Sequence, residues 1–137
     1  MDSVAQNKAL LHSYHELIWN EHRIDAIDDF IAPEFTSHAI PPDAPKGSSR
    51  SKEFLATLFQ AFPDLHSNED ILMGDGDKVA IHWTMEATHQ GDLFGVKATG
   101  KTIKVSGIDI LRVENGKFVE HWGGIGDQMP KIMKQIG

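Results

Sequence analysis

Hydrophobic positions along the chain recur at two different intervals, and the interval changes once. In the first part Leu10, Leu11, Tyr14, Leu17 and Ile18 follow helical spacing, so residues 3–20 are predicted to form an amphipathic helix that buries one stripe. Ser3, with Gln6 three residues on, has the spacing of a capping box at its start. A second short helix is expected over residues 24–31, burying Ile24, Ile27 and Ile31 and stopped by Pro33. Residues 35–38 fit a short strand. Ser51 is expected to cap a third helix over residues 52–62, with Phe54, Leu55, Leu58 and Phe62 inward, ended by Pro63 and Asp64.

Beyond Pro63 the period becomes two. Residues 66–73 read as a strand, and Gly74-Asp75-Gly76-Asp77 as a turn. Val79, Ile81, Trp83, Met85 and Ala87 then alternate with Ala80, His82, Thr84, Glu86 and Thr88. A strand over residues 103–113 follows, and Asn115-Gly116 signals a hairpin into residues 117–122. The tail, residues 128–136, fits a short helix weakened by Pro130. The Pro-rich stretch over residues 41–49 is a loop, too short to link two domains. Helices first and hairpin-linked strands after predict a single α+β domain over residues 1–137, a curved antiparallel sheet wrapped around N-terminal helices. Such a sheet can leave an internal pocket between its inner face and the helices.

Within the strand over residues 103–113, one face reads Ile103, Val105, Gly107, Asp109, Leu111, Val113. Asp109 is the one charge on that apolar face. A carboxylate among Ile, Val and Leu loses hydration, which raises its pKa unless donors compensate. It then suits a general acid, a general base or a donor to an oxyanion. The competing reading is a structural cap or ion pair. A two-residue turn at Asn115-Gly116 pairs Val113 with Phe118, Leu111 with Glu120 and Asp109 with Trp122, so Glu120 and Trp122 are expected to share the Asp109 face. His121 then falls on the opposite face with Ile110, unless a bulge near Gly123 re-aims it.

Composition narrows the function. At 137 residues, 40% hydrophobic and 24% charged, the chain is an ordered domain with a proper core. A net charge of −7 without a basic cluster excludes a phosphate-binding footprint, so no nucleic acid is expected as a partner. No apolar run approaches the ~20 residues of a membrane span, and the N-terminus lacks a signal-peptide pattern, so a cytoplasmic location without membrane association is expected. There is no cysteine, hence no disulfide, thiol nucleophile or thiolate metal site. His12, His15 and Glu16 have helical spacing that could hold a metal, but no further ligand joins them, and no metal site is expected. Glycine-rich phosphate loops and serine or threonine nucleophile signatures are absent.

Several stretches together resemble the SnoaL-like polyketide cyclase family: Phe62-Pro63-Asp64-Leu65, residues 76–84 ending in His82-Trp83-Thr84, Thr99-Gly100-Lys101, Gly107-Ile108-Asp109, and residues 116–122 ending in His121-Trp122. That family lies in the nuclear-transport-factor-two-like superfamily of α+β cones, which also holds ketosteroid isomerases and epoxide hydrolases. The resemblance implies a sheet-lined cavity closed by the first helices. It also implies cofactor-free acid/base chemistry, an aldol-type cyclisation or an isomerisation, on a small apolar carbonyl compound. Asp109 falls where such enzymes place a pocket residue. Family members that close rings often carry an acidic residue directly after the His-Trp pair; here Gly123 and Gly124 follow, and the next carboxylate is Asp127.

The candidate catalytic residues are therefore Asp109 and His121, and the candidate substrate-binding residues His38, Glu120, Trp122, Tyr14 and Trp83. His38 precedes the Pro-rich loop, where it either meets substrate or is an ordinary loop histidine. Trp19, Phe35, Phe54 and Phe59 are further aromatics divided between cavity and core. His82 has the parity of the outer face. Two other functions stay open: a ligand-binding member without chemistry, and a hydrolase adding water, which would need a second carboxylate and an Arg in the pocket. Ile108, Ile110 and Val119 make the outer face partly apolar, so a homodimer or larger homo-oligomer is expected.

Overall fold

A computed structural model describes residues 3–39 and 46–137. Helix α1 spans Val4–Tyr14 and opens on the expected capping box, with the Gln6 amide donating to Ser3 Oγ at 3.0 Å and the Ser3 amide to Gln6 Oε1 at 2.9 Å. The predicted helix does not run on unchanged. Residues His15–Asn20 form a π-helical turn, which widens the coil and changes the direction in which its side chains point. Its end is clamped to the sheet: Asn20 Oδ1 accepts from the Ser67 amide at 2.7 Å, and its Nδ2 donates to the Ser67 carbonyl at 3.0 Å. A 3₁₀ turn over Ile24–Asp29 leads directly into strand β1, Ile31–Ser37.

Helix α2, Ser49–Ala61, begins three residues before the expected start, and Ser48 rather than Ser51 occupies the cap position. The early start has a local cause. Ser48 Oγ and Lys52 Nζ both donate to the Asp28 carboxylate, tying the first turn of α2 to the preceding 3₁₀ turn. Of the expected Pro-rich loop, residues 41–45 lie outside the described residues.

Four strands follow: β2 His66–Asp75, β3 Lys78–Thr88, β4 Thr102–Glu114 and β5 Lys117–Gly123. The sheet is curved and unclosed, in the order β1-β5-β4-β3-β2, antiparallel except for the β1–β5 pair. Its inner face carries the alternation read from the sequence. Val79, Ile81, Trp83, Met85 and Ala87 of β3, with Ile103, Val105, Leu111 and Val113 of β4, are all buried. They pack in one core with Leu11, Ile18 and Ile27 from the first helices and Leu55, Leu58 and Phe62 from α2 and its end. After a 3₁₀ turn, helix α3 spans Met129–Ile136. Pro130 sits in its first turn, where no intrahelical N–H is needed. Gln135 exchanges two hydrogen bonds with the Lys104 backbone, 2.8 and 3.1 Å, on a part of β4 that β5 does not reach.

Two irregularities shape the sheet. Asp70 is an extra residue between the Glu69–Trp83 and Ile71–His82 pairs, and Val119 is one between Phe118 and Glu120. The second overturns the sequence-based register. Val113 pairs with Phe118 as expected, but Arg112 pairs with Glu120, Leu111 with His121, Ile110 with Trp122 and Asp109 with Gly123. The bulge lies at Val119, not near Gly123, and every side chain after it changes face. Val119 itself is buried and does not belong to the exposed outer face. No described helix is long and apolar enough to cross a membrane.

Replacing Asn20 by alanine removes both bonds to Ser67 and leaves a buried backbone amide unpaired. A loss of about 1–3 kcal/mol is expected, measured by chemical denaturation against the parent chain.

Candidate active site

Between the inner sheet face and the helices lies a cavity of about 290 Å³. Its walls are mainly apolar, from Leu11, Trp19, Ile31, Phe35, Phe54, Leu55, Ile81, Leu111 and Ile125. Among the described residues the polar groups in the wall are few: Tyr14, His15, Ser37, Arg50, Ser51, Asp109 and His121. Asp109 is the sole carboxylate among these lining residues.

Asp109 and His121 come together because the Val119 bulge turns His121 inward. His121 Nε2 lies 2.5 Å from Asp109 Oδ1, and Trp83 Nε1 donates to Asp109 Oδ2 at 2.7 Å. The indole reaches the carboxylate by lying over Gly107, its cross-strand partner. A Cβ at position 107 would stand 2.5 Å from Trp83 Cζ2, so glycine is what lets the ring lie there. On the other side of the imidazole, Nδ1 is 2.7 Å from Ser37 Oγ, which also accepts the Ala39 amide at 3.2 Å.

The protons in this chain follow from acceptor chemistry. An ionised carboxylate only accepts, so the short contact to Asp109 requires a proton on His121 Nε2. In neutral imidazole Nδ1 then has a bare lone pair, and Ser37 O–H must donate to it. Side-chain exposures of 21% for Asp109 and 17% for His121 place the pair at the cavity wall, neither sealed nor freely solvated. Tyr14 is pushed well above its ordinary value, first by burial and then by the charge of Asp109, so its hydroxyl keeps its proton. Burial lowers His15, which stays neutral at and above ordinary pH while its Nε2 meets Ser67 Oγ at 2.9 Å.

The structure thus groups Asp109, His121 and Tyr14 around one cavity. Trp83 stands behind Asp109 rather than in the cavity wall. The other candidates lie elsewhere. Glu120 and Trp122, expected beside Asp109, pair with Arg112 and Ile110 on the outer face, because the bulge reverses their parity. His38 joins them there: its Nε2 meets Glu120 Oε2 at 2.6 Å, its ring stacks on Trp122 at 5.1 Å, and Arg112 Nε donates to Glu120 Oε1 at 2.8 Å. His38 and Arg112 hold Glu120 below the usual carboxylate range. Trp19, Phe35 and Phe54 line the cavity, whereas Phe59 is core. His12 bonds Glu69 at 2.9 Å, and among the described residues no cluster of metal-ligating side chains forms.

Sequence reasoning missed Ser37, Arg50 and Ser51. Ser37 adjoins the singled-out His38, and strand parity puts the two on opposite faces. Arg50 and Ser51 belong to the first turn of α2, which the expected start at residue 52 placed ahead of the helix.

Gly123 and Gly124 directly follow the His121-Trp122 pair. Both have positive φ, 79° and 101°. A Cβ at Gly123 would meet the Ile108 carbonyl oxygen at 2.4 Å, and one at Gly124 would meet Asp109 Oδ1 at 2.6 Å. The backbone is folded onto the Asp109–His121 pair and leaves no room for a side chain. Asp127 is exposed and outside the cavity lining.

The family model of the SnoaL-like polyketide cyclase matches residues 9–136, and the chain belongs to that family. Among solved structures it is similar to AclR, a proposed hydroxylase from Streptomyces galilaeus, at 31% identity and TM-score 0.77, over 89% of this chain and 79% of that one. It is also similar to a proposed polyketide cyclase from Acidithiobacillus ferrooxidans, at 30% identity and TM-score 0.77, over 98% and 99% of the two chains. TsrD from Streptomyces laurentii shares the fold at 24% identity and TM-score 0.82, over 100% and 98%. No protein of curated function matches at a significant level.

Gly107→Ala forces the Trp83 indole off its seat and lengthens its bond to Asp109. A destabilisation of about 1–3 kcal/mol is expected, measured by thermal and denaturant unfolding.

Proposed function

We propose that this protein performs cofactor-free acid/base chemistry on a small, mostly apolar carbonyl compound bound in the cavity. The carrying observation is the Asp109–His121 pair, 2.5 Å apart in the wall of an apolar pocket. Asp109 takes a proton from the carbon next to the carbonyl. His121 and Trp83 hold the carboxylate in place, and the protonated Tyr14 hydroxyl donates to the developing enolate oxygen. The enolate then takes the proton back at another carbon, an isomerisation, or attacks a second carbonyl of the same molecule, an aldol-type closure whose alkoxide takes the proton from Asp109. Low polarity around the pair strengthens each of these interactions relative to water.

The family membership supports cyclase-type chemistry. Water addition in the epoxide-hydrolase manner has less support, since among the described residues no second carboxylate lines the cavity beside Asp109.

Self-association through the outer sheet face belongs to the same proposal. Ile71, Met73, Ile108 and Ile110 are 53%, 62%, 53% and 38% exposed, in adjacent cross-strand rows. The occupant best suited to the face is a second copy of the chain. Sedimentation is expected to give a dimer or larger species that Ile108→Lys dissociates; a monomer at high concentration sinks this part.

Deuterium exchange at the α-carbons of 2-tetralone, followed by mass spectrometry, tests the chemistry without knowledge of the natural substrate. Asp109→Asn is expected to keep its unfolding midpoint and to lose about 100-fold or more of the protein-catalysed exchange. Exchange at the parent rate in that variant refutes the proposal.

A further inference from the structure

Ser37 is a polar cavity residue that the enolisation chemistry does not use, yet it completes a chain of three. Its Oγ lies 2.7 Å from His121 Nδ1, and His121 Nε2 lies 2.5 Å from Asp109 Oδ1. All three side chains line the same cavity. With Asp109 ionised and His121 neutral, the proton order is the resting order of a serine nucleophile: hydroxyl donating to a bare imidazole nitrogen, the other ring N–H donating to a carboxylate that a further donor, Trp83, fixes. The imidazole nitrogens exchange roles relative to the usual serine hydrolase arrangement, with Nδ1 rather than Nε2 facing the serine, but either nitrogen can act as base. Such a set is recognised by geometry and not by sequence order, which is why no local serine motif announces it.

We propose that Ser37, His121 and Asp109 form a nucleophilic triad that hydrolyses esters of small apolar acids. Ser37 Oγ bonds to the acyl carbon while its proton passes to His121 Nδ1, and Asp109 stabilises the imidazolium. The ester C–O bond breaks, and the leaving alcohol takes the proton from Nδ1. Water then attacks the acyl-Ser37, again through Nδ1, releasing the carboxylic acid and restoring the hydroxyl. The balance is ester plus water to acid plus alcohol, with no other reactant. The side chains of Arg50 and Ser51 line the cavity and have no ion-pair or hydrogen-bond partner among the described residues. They supply donors for the oxyanion. The cavity volume, about 290 Å³, suits small acyl and alcohol groups.

The test uses the full-length chain with p-nitrophenyl butyrate as substrate and diisopropyl fluorophosphate as covalent probe. The expected result is a single phosphoryl adduct mapped to Ser37 by peptide mass spectrometry. Labelling is lost in His121→Ala, and hydrolysis falls about 100-fold or more in Ser37→Ala and in Asp109→Asn. In Ser37→Cys, iodoacetamide is expected to alkylate the new thiol near neutral pH at a rate that falls when His121 is also replaced; equal rates count against the triad even if one variant folds poorly. Absence of an adduct on Ser37, or full hydrolysis in Ser37→Ala, overturns the proposal. The 2-tetralone exchange assay separates the two chemistries: a parent protein that exchanges but is not labelled sinks the triad alone, and one that is labelled but does not exchange sinks the enolisation alone.

Discussion

The extra residue Val119 in β5 is the constraint on which the site depends. A strand side chain changes face with each one-residue shift of register, so this insertion moves His121 from the outer face to the inner one. Without it Asp109 would share the cavity with Glu120 and Trp122, and the imidazole would face away. With it, the carboxylate gains a hydrogen-bond donor that can also exchange protons. Glu120 and Trp122 move outward, where His38 and Arg112 pair and stack with them. One backbone irregularity therefore assembles two polar clusters on opposite faces of the sheet.

Glycine completes the inner cluster by subtraction. Gly107 lets the Trp83 ring lie across β4 to reach Asp109, and Gly124 brings the backbone against Asp109 and His121 at a φ of 101°. Both positions exchange side-chain packing for close approach. The π-helical turn at His15–Asn20 acts in the same sense. It follows Tyr14 directly, and it places His15 and Trp19 against the same cavity while Asn20 fastens the turn to β2. These local departures from regular structure cluster around the site, as functional irregularities commonly do.

The alternation of apolar and polar residues made the core, the strands and the inward position of Asp109 legible, because burial on one sheet face imposes a period of two. The capping box was equally plain, since its two hydrogen bonds span three residues. The partners of Asp109 were not legible. The spacing from Asn115-Gly116 gave the correct first pair, Val113–Phe118, and then failed at the next residue. Nothing in Phe118-Val119-Glu120 distinguishes an apolar bulge residue from an ordinary strand position.

By itself, then, the sequence determined the α+β class, the order of elements and one carboxylate on an apolar face. These follow from local periodicity and from the cost of burying charge. Only the tertiary structure decided that Ser37, from the first strand, and His121, from the last, meet at one imidazole beside Asp109. That meeting needs the parallel β1–β5 pairing and the bulge together. Neither leaves a trace in local pattern, because both are set by how distant segments satisfy each other's backbone hydrogen bonds.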